Sequence, residues 1–384
     1  MTNKKLKVGN VPNRRFPGFD GEWESKKLGD LANVSSGGTP NRANPLYWNG
    51  NIPWISTTLI DFNYIDKSEE YITEEGLKNS SAKLFPIGTL LMAMYGQGKT
   101  RGKISILNIE ATTNQACGAI ITNQEILNPV FVFQNLSRRY DEIRDLSNQG
   151  SQENLSGGII KGITISFPNL SEQQKISSFL TLIDERIHTQ NKIIEELKLL
   201  KNTIRYQLYK QILNGENELV RIKDILNYEQ PTKYLVTNTD YSSDTSLIPV
   251  LTANKAFVLG YTDEGFGVYD KDECIIFDDF TMDMKFVNFR FKVKSSAIKI
   301  LTAKPNMNLK FTFEYLSFLN LSSNEHKRHY ISEIEQMEIA FPDHIRQKQI
   351  AVVLSSIDEK IKTESEIYTL LIKQKQYLLA NLFI

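Results

Sequence analysis

The sequence predicts an α+β protein built as an internal repeat, with two globular domains of mixed strands and helices that are each followed by one long helix. The first observation is a duplicated segment: residues 165–187 (ISFPNLSEQQKISSFLTLIDERI) match residues 339–361 (IAFPDHIRQKQIAVVLSSIDEKI). The second is a seven-residue period of apolar residues in and after each copy, which is typical of paired helices. The third is a series of short β-branched and aromatic runs, separated by turn residues, before each copy.

The change from strand-like to helical periodicity gives the domain boundaries. The spacing between the copies is that of a whole domain, because small solenoid repeats are far shorter. Weak similarity between residues 27–31 (KLGDL) and 221–225 (RIKDI) indicates that the globular domains are diverged copies of one fold. The predicted boundaries are 1–168 for the first globular domain, 169–214 for its long helix, 215–342 for the second globular domain and 343–384 for its long helix.

Both predicted helices carry an apolar seam at a and d positions, which favours lengthwise packing of one helix on another. The alternative is that each is an ordinary amphipathic helix on its own core. Polar interruptions match between the copies, Gln190 with Glu364 and Lys201 with Lys375. Ser171 is the predicted N-cap of the first helix. The predicted seam residues are Ile176, Leu180, Ile183, Ile187, Ile194, Leu197, Ile204 and Leu208 in the first helix, and Ile350, Leu354, Ile357, Ile361, Tyr368, Leu371, Leu378 and Leu382 in the second.

Composition places the chain among cytoplasmic proteins with more than one domain. Its 384 residues include 45 basic and 45 acidic side chains, so no overall positive charge points to nucleic acid. Cys117 and Cys274 lie in apolar runs and are expected to be reduced and buried. The amino terminus lacks the apolar core of a signal peptide, and no stretch is long and apolar enough to span a membrane.

Two motifs suggest catalysis, and neither fits its chemistry. Residues 93–100 (AMYGQGKT) approach a phosphate-binding loop, but Ala93 replaces the first glycine and a strand-like run follows where a helix should begin. We therefore predict a hairpin loop. The alternative is nucleotide hydrolysis, which would be supported if the chain turned over ATP and the Lys99→Ala variant did not. Asp343, Asp358 and Glu359 resemble nuclease carboxylates, but their places at a helix start and beside the seam favour a structural role. We expect no catalytic residue and no metal ligand set.

In order along the chain, several segments resemble the specificity (S) subunit of type I restriction-modification enzymes over nearly the whole length. They are RFPGF (15–19), GEW (21–23), KLGD (27–30), SGGTP (36–40), ATTNQAC (111–117), YTD (261–263) and FDDFT (277–281), together with the duplicated Phe-Pro and helix segments.

The resemblance implies that the globular domains are target-recognition domains, joined and separated by two long antiparallel coiled-coil helices with pseudo-two-fold symmetry. It implies a bipartite double-stranded DNA target and two methyltransferase subunits, with restriction motor-nuclease subunits as further partners, in a bacterial or archaeal cytoplasm. S-adenosylmethionine, ATP and Mg would be bound by those partners and no cofactor by this chain. The target sequence and spacer length do not follow from the residues, nor does the presence of a restriction subunit.

If the chain reads DNA, the reading residues should be polar side chains on loops that reach a groove edge. The alternative is a protein–protein scaffold with two modules and no DNA binding. A gel-shift assay on random duplex would distinguish the two functions. The candidate DNA-binding residues are Thr39, Asn41, Gln97, Lys99, Thr100, Arg101, Lys103, Ser151, Gln152 and Asn154 in the first domain, and Thr252, Asn254, Lys255, Thr281, Lys285, His326, Lys327, Arg328 and His329 in the second.

Overall fold

The computed structural model describes residues 9–96, 99–147, 154–254, 256–321 and 328–384. The chain forms two compact units. Unit 1 comprises Met1–Gln190 with Ile367–Ile384, and unit 2 comprises Asn191–Glu366. Both long helices cross this division, so that each unit contains part of each helix.

Unit 1 holds a five-stranded sheet of order β2-β9-β6-β7-β4, a three-stranded sheet of order β5-β3-β8 and the antiparallel ribbon β1-β10. Its elements begin with β1 (Glu24–Lys27), α1 (Leu28–Leu31), β2 (Ala32–Ser36), β3 (Trp48–Ile55), β4 (Tyr64–Ile65), β5 (Glu70–Ile72), α2 (Glu74–Lys78) and β6 (Leu90–Ala93). They continue with β7 (Ile104–Leu107), β8 (Thr112–Thr113), β9 (Cys117–Thr122), α3 (Pro129–Arg138), α4 (Tyr140–Asp145), α5 (Gly157–Gly162), β10 (Thr164–Phe167) and the long helix α6 (Leu170–Asn214).

Unit 2 holds a four-stranded sheet of order β12-β18-β15-β16, a three-stranded sheet of order β14-β13-β17 and the antiparallel ribbon β11-β19. Its elements are β11 (Glu218–Arg221), α7 (Ile222–Ile225), β12 (Leu226–Glu229), β13 (Ile248–Leu251), β14 (Val258–Thr262), β15 (Cys274–Asp278), β16 (Met284–Val287), β17 (Lys292–Val293), β18 (Ile298–Ala303), α8 (Leu309–Leu319), β19 (Glu338–Phe341) and the long helix α9 (His344–Leu382).

The two units repeat one topology. In each, a short ribbon (β1-β10 or β11-β19) precedes the long helix that begins a few residues later. In each, the small sheet joins one parallel and one antiparallel partner to its middle strand, β3 in unit 1 and β13 in unit 2. This agreement supports the prediction that the globular domains are diverged copies.

The long helices begin at side-chain caps, and one predicted cap is wrong. Asn169 Oδ1 accepts the Glu172 amide at 2.9 Å and the Ser171 hydroxyl at 2.7 Å, so Ser171 lies inside the first turn and Asn169 is the cap. Because α6 begins at Leu170, the residue before it, Asn169, is the one whose side chain can accept an unpaired amide of the first turn. In α9, Asp343 Oδ1 accepts the Arg346 amide at 2.9 Å, as expected for a carboxylate at a helix start.

One repeated glutamine fastens each long helix to the domain helix of its own unit. Gln347 Oε1 accepts the amide of Asn308, the residue that caps α8, at 3.1 Å, and its Nε2 donates to the Pro342 carbonyl at 2.9 Å. Gln173 makes the same two bonds in unit 1, to Asn128 and Pro168, at 2.8 Å each. Both glutamines are buried.

We expect Gln347→Ala to lower the free energy of unfolding of unit 2 by about 1–3 kcal/mol, because a buried amide and a buried carbonyl lose their partner. Gln173→Ala should cost unit 1 a similar amount. Gln374→Ala, on the exposed side of α9, is the control and should change stability by less than about 0.5 kcal/mol. Urea denaturation measures all three; an equal effect of the control would contradict the role of the buried bonds.

Within each unit the two long helices run antiparallel. In unit 1, Asp184 on α6 pairs with Lys375 on α9 at 2.5 Å, and Leu180 near the start of α6 shares a core with Leu382 at the end of α9. In unit 2, Lys201 pairs with Asp358 at 2.7 Å. These are the same pair under the repeat, because Asp184 corresponds to Asp358 and Lys201 to Lys375.

The predicted seam agrees with the side-chain exposures. Every predicted seam residue of both helices is buried or half-buried, whereas apolar residues outside the seam, such as Leu182 and Leu370, are 63% and 64% exposed. The ion pairs Asp184–Lys375 and Lys201–Asp358 join the two helices within each unit, which favours lengthwise pairing over two ordinary amphipathic helices.

Candidate nucleic-acid interface

The β6–β7 loop of unit 1 (residues 94–103) contains most of the first-domain candidates, and backbone hydrogen bonds fix where it starts and ends. The Met94 amide donates to the Ala116 carbonyl at 2.9 Å, and the Met94 carbonyl accepts the Leu155 amide at 2.9 Å. The Gly102 amide returns to the Ala93 carbonyl at 2.9 Å, with Gly102 at φ 85°. Because β6 and β7 are antiparallel neighbours, this loop closes a hairpin, as predicted, and no helix follows it.

The β15–β16 loop of unit 2 (residues 279–283) is built on the same bonds. The Asp279 amide donates to Ala297 at 3.0 Å, and the Asp279 carbonyl accepts the His329 amide at 3.0 Å. The Met282 amide returns to the Asp278 carbonyl at 3.0 Å, with Met282 at φ 59°. The loops are therefore equivalent although their lengths differ. The equivalent residues are Met94 and Asp279, Gly102 and Met282, Asn154 and Arg328, Leu155 and His329, and Gly118 and Lys299.

Around the start of the β6–β7 loop, unit 1 has a groove of about 490 Å³. Exposed Tyr95, Gln115 and Lys161 line it together with Ser35 and Ser36. Hydroxyl, amide and ammonium groups in an open groove are what contacts to phosphates and base edges require. Gln115 lies in a motif that the sequence singled out, whereas no local signal marks Lys161.

Two first-domain candidates are next to residues that line this groove. Thr39 Oγ1 donates to Gln115 Oε1 at 2.6 Å, and Asn154 directly precedes Leu155, which is bonded to the loop. Asn41 is exposed, and its Oδ1 accepts the Ala43 amide at 3.0 Å. Gln97, Ser151 and Gln152 lie outside the described residues.

The cations of the β6–β7 loop differ in their access to solvent. Arg101 is 6% exposed, so in this conformation its guanidinium does not reach a base edge and the structure argues against that role. Lys103 is half-buried and pairs with Asp61 at 2.5 Å. Lys99 is exposed and Thr100 half-buried. The carbonyl of Lys99 accepts the Tyr140 hydroxyl at 2.6 Å, which holds the backbone of the loop at this exposed residue.

One positioned cation beside these candidates was missed. The Arg42 guanidinium lies 3.9 Å from the Trp48 ring and 4.7 Å from the Trp54 ring, and it pairs with Glu70. The hydrogen bonds between them raise the pKa of Arg42 and lower the pKa of Glu70. Aromatic faces hold such a planar cation in place. The cluster unites three segments of the chain, so no local pattern reveals it.

In unit 2, the candidates fall into accessible and buried groups. Thr281, Asn254 and Arg328 are exposed and Lys285 is half-buried. Thr252 is 8% exposed, and its amide donates to the Phe257 carbonyl at 2.8 Å, so it closes the turn after β13. The structure therefore argues against base contact by Thr252. Lys255, His326 and Lys327 lie outside the described residues.

His329 requires a correction. It is 1% exposed, and its Nδ1 lies 3.0 Å from Glu333 Oε2. It occupies the position of the buried Leu155 in unit 1, so it holds the loop and does not present its ring to a ligand. The sequence reads HKRH here (326–329), and a run of basic residues does not distinguish an inward side chain from an outward one.

A buried lysine orders the small sheet of unit 2. Lys292 is fully buried, pairs with Glu264 at 2.7 Å and donates to the Phe266 carbonyl at 2.8 Å. Burial alone would raise the pKa of Glu264, but hydrogen bonds from Lys292, Thr237 and Asn238 outweigh it and lower that pKa to about 2. The Phe266 ring, 4.2 Å from the ammonium, is 62% exposed and is available for stacking.

The described residues contain no group of three or more His, Cys, Asp or Glu side chains that could hold a metal ion. Burial raises the pKa of the Cys117 and Cys274 thiols to about 12 each, so neither is an activated nucleophile. None of the helices in the described ranges is long and apolar enough to cross a membrane.

Comparison with known proteins finds a family model and relatives that match parts of the chain. Residues 20–199 match the family model of the type I restriction modification DNA specificity domain. The chain is 46% identical over 139 residues to the specificity subunit of the type I restriction enzyme EcoR124I/EcoR124II of Escherichia coli. It is 29% identical over 248 residues to the specificity subunit of the type I restriction enzyme MjaIX of Methanocaldococcus jannaschii. The chain thus carries a type I restriction modification DNA specificity domain in residues 20–199 and is similar to specificity subunits of type I restriction enzymes.

The matches to these specificity subunits are partial in length. They cover 34% of this chain and 34% of the E. coli subunit, and 59% of this chain and 55% of the archaeal subunit. The chain thus spans between about a third and about half of the length of these two relatives.

Solved structures from type I restriction-modification systems share the fold. The crystal structure of the S subunit of a type I restriction-modification system from M. genitalium has a TM-score of 0.69 at 14% identity, over 97% of this chain and 99% of that one. A structure concerned with complex assembly and conformational transition of the type I R-M system has a TM-score of 0.55 at 16% identity, over the same shares.

Proposed function

We propose that the chain is the DNA-recognition subunit of a type I restriction-modification complex and that each globular domain binds one half of a bipartite double-stranded target. The observation that carries this proposal is the equivalence of the β6–β7 and β15–β16 loops. The two loops share one backbone frame and differ in length and in side chains, as expected of two readers with different half-sites. The match of residues 20–199 to the type I restriction modification DNA specificity domain supports the same conclusion.

The chain is not the catalyst in this proposal. Two methyltransferase subunits supply S-adenosylmethionine chemistry, and restriction subunits, where present, supply ATP- and Mg-dependent cleavage. The equal numbers of basic and acidic residues are consistent with partners that share the contacts to phosphates. The exposed polar groups of the loops then contribute base contacts, each worth a factor of about 5–150 in discrimination.

The paired long helices act as the spacer. With 45 residues, α6 is about 68 Å long. On this proposal the half-site centres on the DNA lie on the order of one turn of duplex, or about 10 base pairs, apart. The bound DNA should therefore tolerate base changes in the spacer and not changes in its length.

The proposal predicts that exchange of residues 1–164 for the corresponding domain of a relative changes one half of the target only. The chain is co-expressed with its methyltransferase partner, and methylated adenines are mapped across the host genome. The matched exchange of residues 216–338 should change the other half. A change of both halves by either exchange would contradict two independent readers, and absence of DNA retention with and without the partner would favour a protein–protein scaffold.

A further inference from the structure

The β15–β16 loop is held in one conformation by its own groups. Asp278 Oδ1 accepts the amides of Phe280 and Thr281, each at 2.9 Å, and the Thr281 hydroxyl donates to Asp283 at 3.1 Å. Met282 is 5% exposed and anchors the loop in the core of unit 2. The loop therefore presents exposed Thr281 on a frame with little freedom, which lowers the entropic cost of binding.

Asp279 joins this loop to the segment after α8. Besides the backbone bond from its carbonyl to His329, its Oδ1 accepts the Tyr330 amide at 2.9 Å. The Arg328 guanidinium lies 5.9 Å from the Phe280 ring. One buried carboxylate thus fixes two exposed side chains, Thr281 and Arg328, relative to each other.

The second oxygen of Asp279 faces a buried lysine. Lys299 Nζ lies 3.4 Å from Asp279 Oδ2, and these side chains are 1% and 2% exposed. Two charges withdrawn from water are costly unless they are paired and hydrogen-bonded, and an apolar pair of similar volume is often at least as stable. Stability alone does not account for an ion pair at this position.

In unit 1 the two positions equivalent to this ion pair carry residues without charge. Met94 and Gly118 occupy the places of Asp279 and Lys299, and a Cβ on Gly118 would lie 3.4 Å from Met94 Sδ. The backbone bond to the following segment is present in both units, whereas the carboxylate bond to Tyr330 belongs to unit 2. The ion pair therefore adds positioning that the shared fold does not provide.

We propose that Asp279 and Lys299 are positioning residues for recognition of the second half-site and determine its specificity without touching DNA. This inference rests on the proposed function. The carboxylate sets the relative placement of Thr281 and Arg328, and Lys299 keeps that carboxylate oriented. Loss of either partner leaves both side chains exposed and no longer held in one arrangement.

The test uses the full chain in complex with its methyltransferase partner, on duplexes that carry its mapped target or one base change in either half. In Asp279→Asn and Lys299→Met, the affinity ratio between target and duplex changed in the second half should fall about tenfold, because about one well-placed contact is lost. The ratio for the first half should stay within about twofold. Asp270→Asn, at an exposed carboxylate of unit 2, is the control and should leave both ratios unchanged.

A third variant separates positioning from stability. Asp279→Leu with Lys299→Met replaces the ion pair by apolar side chains, so it should retain most of the thermal stability yet lose second-half discrimination. Unchanged ratios for both halves in the folded variants would overturn the inference. So would an equal fall for both halves, since that is the result of a merely structural role. If the wild-type complex retains no DNA, the proposed function itself fails.

Discussion

Replacement of Glu314 by alanine should destabilise unit 2 by about 3 kcal/mol. Glu314, on α8, is fully buried, and its carboxylate lies 2.8 Å from Lys201 Nζ, 2.9 Å from Lys310 Nζ and 3.4 Å from Arg205 Nη1. Lys201 and Lys310 also hold Asp358 of α9, at 2.7 and 2.8 Å. Removal of one member of a buried ion network costs about 3–5 kcal/mol, and the lower end applies because the cations keep some access to water.

The matched variant is Glu314→Gln, because unit 1 has a glutamine at this position. Gln134 lies six residues after the capping Asn128, as Glu314 does after Asn308, and its Nε2 donates to Asp184 at 2.7 Å. Glu314→Gln should cost less than Glu314→Ala. Hydrogen exchange of α8 and β15 reports unit 2, with β6 and β9 of unit 1 as the internal reference. Equal protection loss in both units would contradict a local network.

The stability that the same ion network contributes should be lost at low pH. Burial would raise the pKa of Asp358, but hydrogen bonds from Lys201 and Lys310 outweigh it and hold that pKa below its ordinary value of 3.8. A carboxyl whose pKa is lower in the folded state contributes stability above the unfolded value and loses it as pH falls through the folded one. Unit 2 should therefore lose stability below about pH 4, and Asp358→Asn should remove this part of the slope.

Local patterns predicted the frame of this protein. A seven-residue apolar period within one continuous segment predicted each long helix and its seam, at 170–214 and 344–382. The cap at Asn169 was missed because asparagine, serine and aspartate all cap helices, and the choice depends on where the preceding strand ends. Antiparallel packing required the family resemblance, since a heptad seam alone does not define direction.

The candidate interface was predicted only in part. The loops that contain Lys99 and Thr281 were identified, but their equivalence was not, because they differ in length and correspond only through backbone bonds at Met94 and Asp279. Composition marked His329 as a candidate, although burial assigns it to the core. Arg42, in the segment between β2 and β3, was overlooked because its aromatic and acidic partners lie on β3 and β5. These features depend on contacts between residues far apart in the sequence, which local patterns do not show.

The second large effect is expected at the aromatic residues that join the long helices to the globular domains. Tyr209 of α6 is fully buried, with ring centroids 5.2 Å from Phe311 and 4.8 Å from Tyr315. Phe383, its counterpart under the repeat, packs 5.0 Å from Phe131 in unit 1. Tyr209→Ala and Phe383→Ala should each cost about 3–5 kcal/mol, because a large ring leaves a closely packed core.

Each substitution should lower the stability of its own unit only, unit 2 for Tyr209 and unit 1 for Phe383. Tyr209→Phe removes only the 2.7 Å bond from the hydroxyl to the Phe311 carbonyl and should cost about 1 kcal/mol. Tyr377→Ala, at a 50% exposed ring, is the control for Phe383 and should cost less than about 1 kcal/mol. Hydrogen exchange resolved by unit measures the effects. If Tyr209→Ala loosened β6 and β9 as much as β15 and β18, the effect would not be confined to unit 2 and the prediction would fail.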